Sequence, residues 1–147
     1  MIKLYIRFVG YLNKLRDLPL LCLRLVLAYG FWEPATSKWS DIDSVAGWFR
    51  EMGMAAPEIN AYLAATTEIC GVFMLTLGLG TRLISIPLMI TMMVAIKMVH
   101  WESGFHAADN GFEIPLYYLI MLFTLLCFGA GRLSVDHLIT RWIKRPA

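Results

Sequence analysis

Apolar residues follow two patterns along the chain, and the first of them predicts long helices. Nearly uninterrupted apolar stretches occupy about residues 18–35, 61–79, 83–99 and 114–128. Each stretch is close to the ~17–25 residues that a helix needs to cross a ~30 Å hydrocarbon layer. The pattern therefore predicts four transmembrane helices.

The second pattern is amphipathic and predicts two short helices that lie along the membrane surface. Apolar residues recur every three or four positions within about residues 2–16, while Lys3, Arg7, Lys14 and Arg16 lie on the other sides of that helix. This segment lacks the compact apolar centre of a signal peptide. A similar stripe within about residues 41–53 begins after candidate helix caps.

Composition agrees with a membrane protein and excludes several other classes. Hydrophobic residues make up 59% of the chain, charged residues 16%, and the mean hydropathy is +0.62. A soluble domain does not need so much apolar surface. The low net charge of +2, the three cysteines and the lack of a long polar segment exclude a nucleic-acid module, a disulfide scaffold and a disordered chain. We expect one all-α domain over residues 1–147, a four-helix transmembrane bundle with interfacial helices.

The distribution of Lys and Arg outside the four stretches predicts the orientation. One side would carry Lys3, Arg7, Lys14, Arg16, Arg82, Arg132, Arg141, Lys144 and Arg145, and the other only Lys38 and Arg50. Because cytoplasmic loops are enriched in Lys and Arg, both termini are expected in the cytoplasm of a bacterium, with the protein in the inner membrane. Arg82 and Arg132, near the ends of apolar stretches, are candidates for contact with lipid phosphates.

Two charged residues fall inside predicted spans and form a candidate buried polar site. Arg24 and Glu68 each lie near the middle of an apolar stretch, where an ionisable side chain costs about 2.5–3.5 kcal/mol. Since the first two spans are antiparallel neighbours, the sequence predicts a direct Arg24–Glu68 ion pair. Such a pair can fix the helix register or can line a substrate or proton path, and both interpretations stay open.

A second polar group is expected at the outer face, where three spans contribute residues to one level. It consists of Glu33, Lys38, Lys97, His100 and Glu113. The alternative is that Lys97 extends to the surface and that the carboxylates are simply hydrated. Their convergence predicts a pocket that opens toward the periplasm.

Metal binding is a weaker hypothesis that the residue types allow. His100 and His106 supply nitrogen ligands, and Met89, Met92 and Met93 supply the thioethers that bind Cu(I). Methionine is also an ordinary filler of packed helices. Cys22, Cys70 and Cys127 occur singly, so a dithiol relay is poorly supported.

An ordered set of short motifs in this chain resembles the DoxX family. The set consists of Arg24, Lys38, Met52-Gly53 before Pro57, Glu68-x-x-Gly71, Gly80-Thr81-Arg82, His100, Gly104-Phe105, Gly111-x-Glu113 and Gly129-x-Gly131-Arg132-Leu133-Ser134-x-Asp136. The likeness runs from about residue 20 to residue 136. It departs from the usual pattern at Glu68-Ile69-Cys70-Gly71, where paired glycines are common.

The resemblance implies a four-helix inner-membrane protein that works with membrane or periplasmic redox proteins and couples their chemistry to quinone. Phe31-Trp32, Lys38-Trp39-Ser40-Asp41-Ile42-Asp43 and the segment from Val99 to Phe105 are most similar to the HvfX-like branch. That branch implies a role in the maturation of copper-binding peptides. We therefore expect a redox-associated membrane subunit. The alternatives are a non-enzymatic anchor for partner proteins and a membrane protein that handles a small solute or a metal.

Overall fold

A computed structural model describes residues 1–143, which form seven α-helices and contain no β-strand. The helices are α1 (Ile2–Leu15), α2 (Asp17–Ser40), α3 (Ile42–Glu51), α4 (Pro57–Leu77), α5 (Thr81–Val94), α6 (Glu113–Phe128) and α7 (Val135–Ile143). A π-helical turn, Ala95–His100, continues α5, and the loop after it contains a short 3₁₀ turn, Ala107–Asp109. Lys144 and Arg145, which were counted in predicting the orientation, lie outside the described residues.

Three helices are long and apolar enough to cross a membrane. They are Asp17–Ser40, Pro57–Leu77 and Thr81–His100. The fourth predicted span corresponds to α6, which has 16 residues and is about 24 Å long at ~1.5 Å per residue. The all-helical prediction is confirmed, but the count of four full-length spans is not.

The helices pack as two pairs around one apolar core. α2 packs along α4, α5 packs along α6, and α4 joins the pairs through its contact with α5. The fully buried core side chains are Leu27, Phe31, Leu75, Leu88, Leu122 and Leu125. Large apolar side chains such as Leu83 and Phe123 are exposed on the outside of the bundle. This distribution suits a bundle that is surrounded by lipid.

The two ends of the bundle are built differently, and each takes its name here from a helix. The α7 end contains α1, the turn between α4 and α5, and the loop from α6 to α7. That turn is tight because Gly78 and Gly80 adopt left-handed conformations, with φ of 67° and 57°. The α3 end contains α3, the last turns of α2 and the loop of residues 101–112. α3 packs on α4 through Phe49 and Ala61.

α2 is longer than the apolar stretch that predicted it. The stretch ends near residue 35, whereas the helix continues through Pro34 to Ser40. The polar last turns stay helical because they pack on α4, where the indole Nε1 of Trp39 donates a hydrogen bond to the carbonyl of Ala65 at 3.2 Å. Lys38 therefore lies on the helix and not in a loop.

Candidate functional site

The α3 end contains a cavity of about 610 Å³. We call it the α3 cavity. α2, α3, α4, α5 and α6 all contribute to its wall, which is mostly apolar and includes Phe31, Trp48, Phe49, Met52, Met92 and Pro115. The polar groups on the wall include Lys38, Glu68, His100 and Tyr118. A partly enclosed apolar cavity with a few convergent polar groups is the usual form of a small-molecule site.

Lys38 and Glu68 form an ion pair on this wall. The ammonium Nζ of Lys38 lies 2.7 Å from Oε2 of Glu68, and the side chains are 21% and 2% exposed. Charges withdrawn from water need such a partner, because an isolated buried charge costs several kcal/mol. The bond between Trp39 and Ala65 fixes the register of α2 on α4 next to the pair.

The predicted Arg24–Glu68 pair is wrong, although both residues are buried as expected. Arg24 lies at the opposite end of the bundle, where its Nη2 donates a hydrogen bond to the carbonyl of Leu133 at 2.5 Å. Arg24 and Lys38 are separated by about 21 Å along one helix. The apolar stretch that predicted this span ends near residue 35 and does not include the last turns of α2. Arg24 is therefore closer to the start of the helix than the sequence predicted.

His100 contributes an imidazole with a defined tautomer to the α3 cavity. Its Nδ1 lies 2.7 Å from the carbonyl oxygen of Asn110, which can only accept a hydrogen bond. Nδ1 therefore carries the proton and donates, which leaves Nε2 of the neutral ring as an acceptor. His100 ends the π-helical turn Ala95–His100, and π-helical turns often occur at functional sites.

The predicted outer-face group is only partly brought together. Lys38 and His100 line the α3 cavity, whereas Glu33 and Lys97 are exposed side chains outside its lining. Glu113 has a local role, since its carboxylate accepts hydrogen bonds from the backbone N–H of Ala107 and from the hydroxyl of Tyr117, both at 2.9 Å. These bonds fold the loop before α6 back onto that helix.

Sequence reasoning missed Tyr118, which lies on α6 and reaches across to α2. Its ring packs edge to face on Phe31, and its hydroxyl lies against the backbone of Gly30. A Cβ at position 30 would overlap that hydroxyl, so Gly30 is required for this close approach. No local pattern in the sequence marks the contact, because it depends on the packing of two distant helices.

The metal candidates do not form a cluster in the part of the chain that the structure describes. Residues 1–143 contain no group of three or more His, Cys, Asp or Glu that could hold a metal ion. His106 is exposed and packs against Phe105, Met92 is in the core, and Met93 is 48% exposed. Copper binding by these residues and by Met89 stays a prediction. Cys22, Cys70 and Cys127 are free and exposed on three different helices.

The two arginines predicted to contact lipid both lie at the α7 end. Nη2 of Arg82 donates a hydrogen bond to the carbonyl of Cys127 at 2.9 Å. Arg132 is bound to Asp17, whose Oδ1 accepts its backbone N–H at 3.0 Å and whose Oδ2 lies 3.7 Å from its Nε. Both side chains are exposed.

The chain is similar to a family of membrane proteins. The DoxX family model matches residues 19–101. An uncharacterised protein of Haemophilus influenzae is 34% identical over 139 residues, which cover 85% of this chain and 89% of the relative. An uncharacterised membrane protein of Mycobacterium tuberculosis is 30% identical, with 82% and 81% covered. The Bacillus subtilis protein named "Putative oxidoreductase CatD" is 27% identical, with 90% and 96% covered. No solved structure matches the chain.

Proposed function

The chain belongs to the DoxX family of membrane proteins, and from this premise we propose that it is a membrane subunit of a redox system that binds a quinone headgroup in the α3 cavity. The observation that carries the proposal is the ion pair of Lys38 and Glu68 on the wall of a largely apolar cavity. A bundle without such a cavity would instead favour the alternative of a non-enzymatic anchor for partner proteins. The name of the Bacillus subtilis relative agrees with a redox role.

The residues of the α3 cavity fit a quinone headgroup in size and in chemistry. A volume of about 610 Å³ is within the range of ligand sites, and the flat apolar side chains Trp48, Phe49 and Pro115 suit a planar ring. Lys38 and Tyr118 can donate hydrogen bonds to carbonyl oxygens, whereas Nε2 of His100 can accept one from a hydroxyl. The cavity thus offers donors to the carbonyl oxygens of the oxidised quinone and an acceptor to a hydroxyl of the reduced form.

The chain's own groups would bind the headgroup, orient it and form hydrogen bonds with its oxygen atoms. When bound, quinone supplies reversible two-electron chemistry that is coupled to two protons. Nε2 of His100 would accept a hydrogen bond from a hydroxyl of the headgroup, and the bond from its Nδ1 to the carbonyl of Asn110 holds the ring in the tautomer that leaves Nε2 free to do so. Glu68 holds the Lys38 ammonium in place, so that this charge faces the cavity without moving.

The proposal includes an orientation and a partner. The protein would lie in the inner membrane with both termini in the cytoplasm, so that the α3 end faces the periplasm. A membrane or periplasmic redox protein would dock at this end and exchange electrons with the bound quinone. α3 and the loop of residues 101–112 are the elements available for that contact.

The test measures quinone binding by the quenching of tryptophan fluorescence, because Trp48 lines the α3 cavity. Purified protein in detergent is titrated with a short-chain ubiquinone analogue, and Trp48→Phe identifies the signal from this site. We expect Glu68→Gln to weaken binding about ten-fold, since it leaves Lys38 without its charged partner. Glu58→Gln is the matched control, because Glu58 forms an exposed ion pair with Arg50 at the same end.

A second variant keeps the test informative if Glu68→Gln folds poorly. His100→Gln changes a side chain at the edge of the α3 cavity and should weaken binding while the protein keeps its thermal stability. Saturable quenching that is unchanged in both variants would overturn the proposal. Lower abundance of Glu68→Gln together with unchanged affinity would instead support the anchor.

A further inference from the structure

A second cavity lies at the α7 end, and its wall combines apolar and cationic side chains. It has a volume of about 980 Å³ and lies between the first turns of α2 and the last turns of α6, beside α7. We call it the α7 cavity. Its apolar wall includes Leu20, Leu23 and Phe128, and its cations are Arg16, Arg82 and Arg132.

The two carboxylates on this wall already have partners. Asp17 accepts the backbone N–H of Arg132 and lies next to its guanidinium. Asp136 accepts the backbone N–H of Gly80 at 2.7 Å and that of Thr81 at 3.1 Å, and thereby caps the start of α5. Neither carboxylate neutralises the remaining two arginines.

Arg16 and Arg82 therefore keep positive charge that is available to a ligand. Within residues 1–143, neither guanidinium lies within 4 Å of a carboxylate. Arg82 uses one N–H for the carbonyl of Cys127, and its guanidinium crosses Gly129, where a Cβ would be 3.2 Å from its Nε. A guanidinium has five N–H donors, so several remain free for a phosphate.

We propose that the α7 cavity binds one anionic phospholipid, with its phosphate on Arg16 and Arg82 and an acyl chain along Leu20, Leu23 and Phe128. A phospholipid fits better than a soluble anion because the cations adjoin an apolar wall at the end of membrane-spanning helices. α1, which ends one residue before Arg16, has no buried residue and presents an amphipathic surface. The site lies at the other end of the bundle from the α3 cavity and does not depend on quinone binding.

The test is native mass spectrometry of the delipidated full chain in detergent, with phosphatidylglycerol and phosphatidylcholine added in equal amounts. We expect one phosphatidylglycerol per chain to be retained in preference to phosphatidylcholine. Arg82→Gln and Arg16→Gln should each lower that preference about five-fold, which is the effect of one cation near a lipid surface. Arg7→Gln is the matched control, because Arg7 is an exposed α1 arginine outside the lining of the α7 cavity.

The outcomes distinguish a built lipid site from general surface charge. Equal retention of the two lipids would overturn the proposal, and so would an equal loss of preference in Arg7→Gln. Displacement of the phosphatidylglycerol by millimolar inorganic phosphate alone would reassign the site to a soluble anion and would also overturn it. Arg16→Gln replaces an exposed side chain, so it remains a valid test if Arg82→Gln is unstable.

Discussion

The two ends of the bundle bury charge in opposite ways. At the α7 end, Arg24 donates to the main-chain carbonyl of Leu133, and Asp136 accepts main-chain N–H groups of the turn before α5. At the α3 end, Lys38 and Glu68 bind each other on the wall of a cavity. The first arrangement ties distant parts of the chain together, whereas the second leaves a charged pair that a ligand can reach.

The contrast indicates where structure and function are concentrated. Main-chain partners cannot change without moving the helix ends, so buried Arg24 and half-buried Asp136 hold the α7 end together. The side-chain pair of the α3 end can be altered without breaking a helix. Mutations that remove these main-chain bonds at the α7 end should therefore act mainly on stability, and mutations around the α3 cavity mainly on ligand binding.

Gly78→Ala should produce the largest loss of stability. Its φ of 67° is strained for alanine, and the added Cβ would overlap the Arg24 guanidinium and the side chain of Ser134. We expect a loss of about 3 kcal/mol, from backbone strain and crowding together. Gly53→Ala is the control, because Gly53 has φ 73° but open space around it, and it should lose only about 1 kcal/mol. Equal losses in thermal unfolding would show that Arg24 does not crowd this turn.

Asp136→Ala should have the next largest effect on stability. The substitution removes the acceptor of the Gly80 and Thr81 N–H groups, and such a cap contributes about 1–2 kcal/mol. Thermal unfolding in detergent measures the change, with Asp43→Ala in the exposed first turn of α3 as the control. An unchanged melting temperature for Asp136→Ala would show that these bonds between α7 and the turn before α5 do not stabilise the fold.

Gly30→Ala should weaken ligand binding with a smaller effect on stability. The new Cβ would displace the Tyr118 hydroxyl, which lies at the end of a side chain that can turn into the α3 cavity. We expect quinone affinity to fall about five-fold, an effect of about 1 kcal/mol. Gly47→Ala on α3 is the control, because nothing lies within 4 Å of the added atom. Unchanged affinity in Gly30→Ala would mean that the ligand does not occupy this part of the cavity.

The smallest effect is expected from Asp41, which caps α3. Its carboxylate accepts hydrogen bonds from the hydroxyl and the backbone N–H of Ser44, and these bonds lower the pKa of Asp41. A lowered pKa means that the stabilisation is present at neutral pH and disappears as the pH falls through that value. The difference in melting temperature between wild type and Asp41→Ala should therefore shrink below about pH 4. A difference that is independent of pH would contradict the cap.

The sequence predicted the all-helical class and two buried charges, but neither the number of full-length spans nor the partners of those charges. The apolar stretches predicted the long helices because lipid imposes length and hydropathy on each span separately. Arg24 and Glu68 were correctly identified as buried charges, since few ionisable residues interrupt these stretches. The depth of Arg24 was misjudged because α2 continues for five residues beyond residue 35.

Contacts that depend on tertiary packing had no local signal. The hydrogen bond from the Gly80 N–H to Asp136 spans 56 positions, and the one from Arg24 to the Leu133 carbonyl spans 109. The Lys38–Glu68 pair could have been found by continuing α2 through Pro34, because Lys38 then lies on the face that meets α4. Tyr118 required knowledge of how α6 packs on α2.

Photolabelling with a reactive quinone analogue is the most direct test of quinone binding in the α3 cavity, because it compares the two cavities in one experiment. Labelled peptides are identified by mass spectrometry, with excess unlabelled quinone as the competitor. We expect saturable labelling on the wall of the α3 cavity, in the peptides that contain Trp48, Met52 or Tyr118, and a reduced yield in Glu68→Gln. Labelling that is confined to Leu20, Leu23 and Phe128 at the α7 end, or labelling that excess quinone does not suppress, would contradict it.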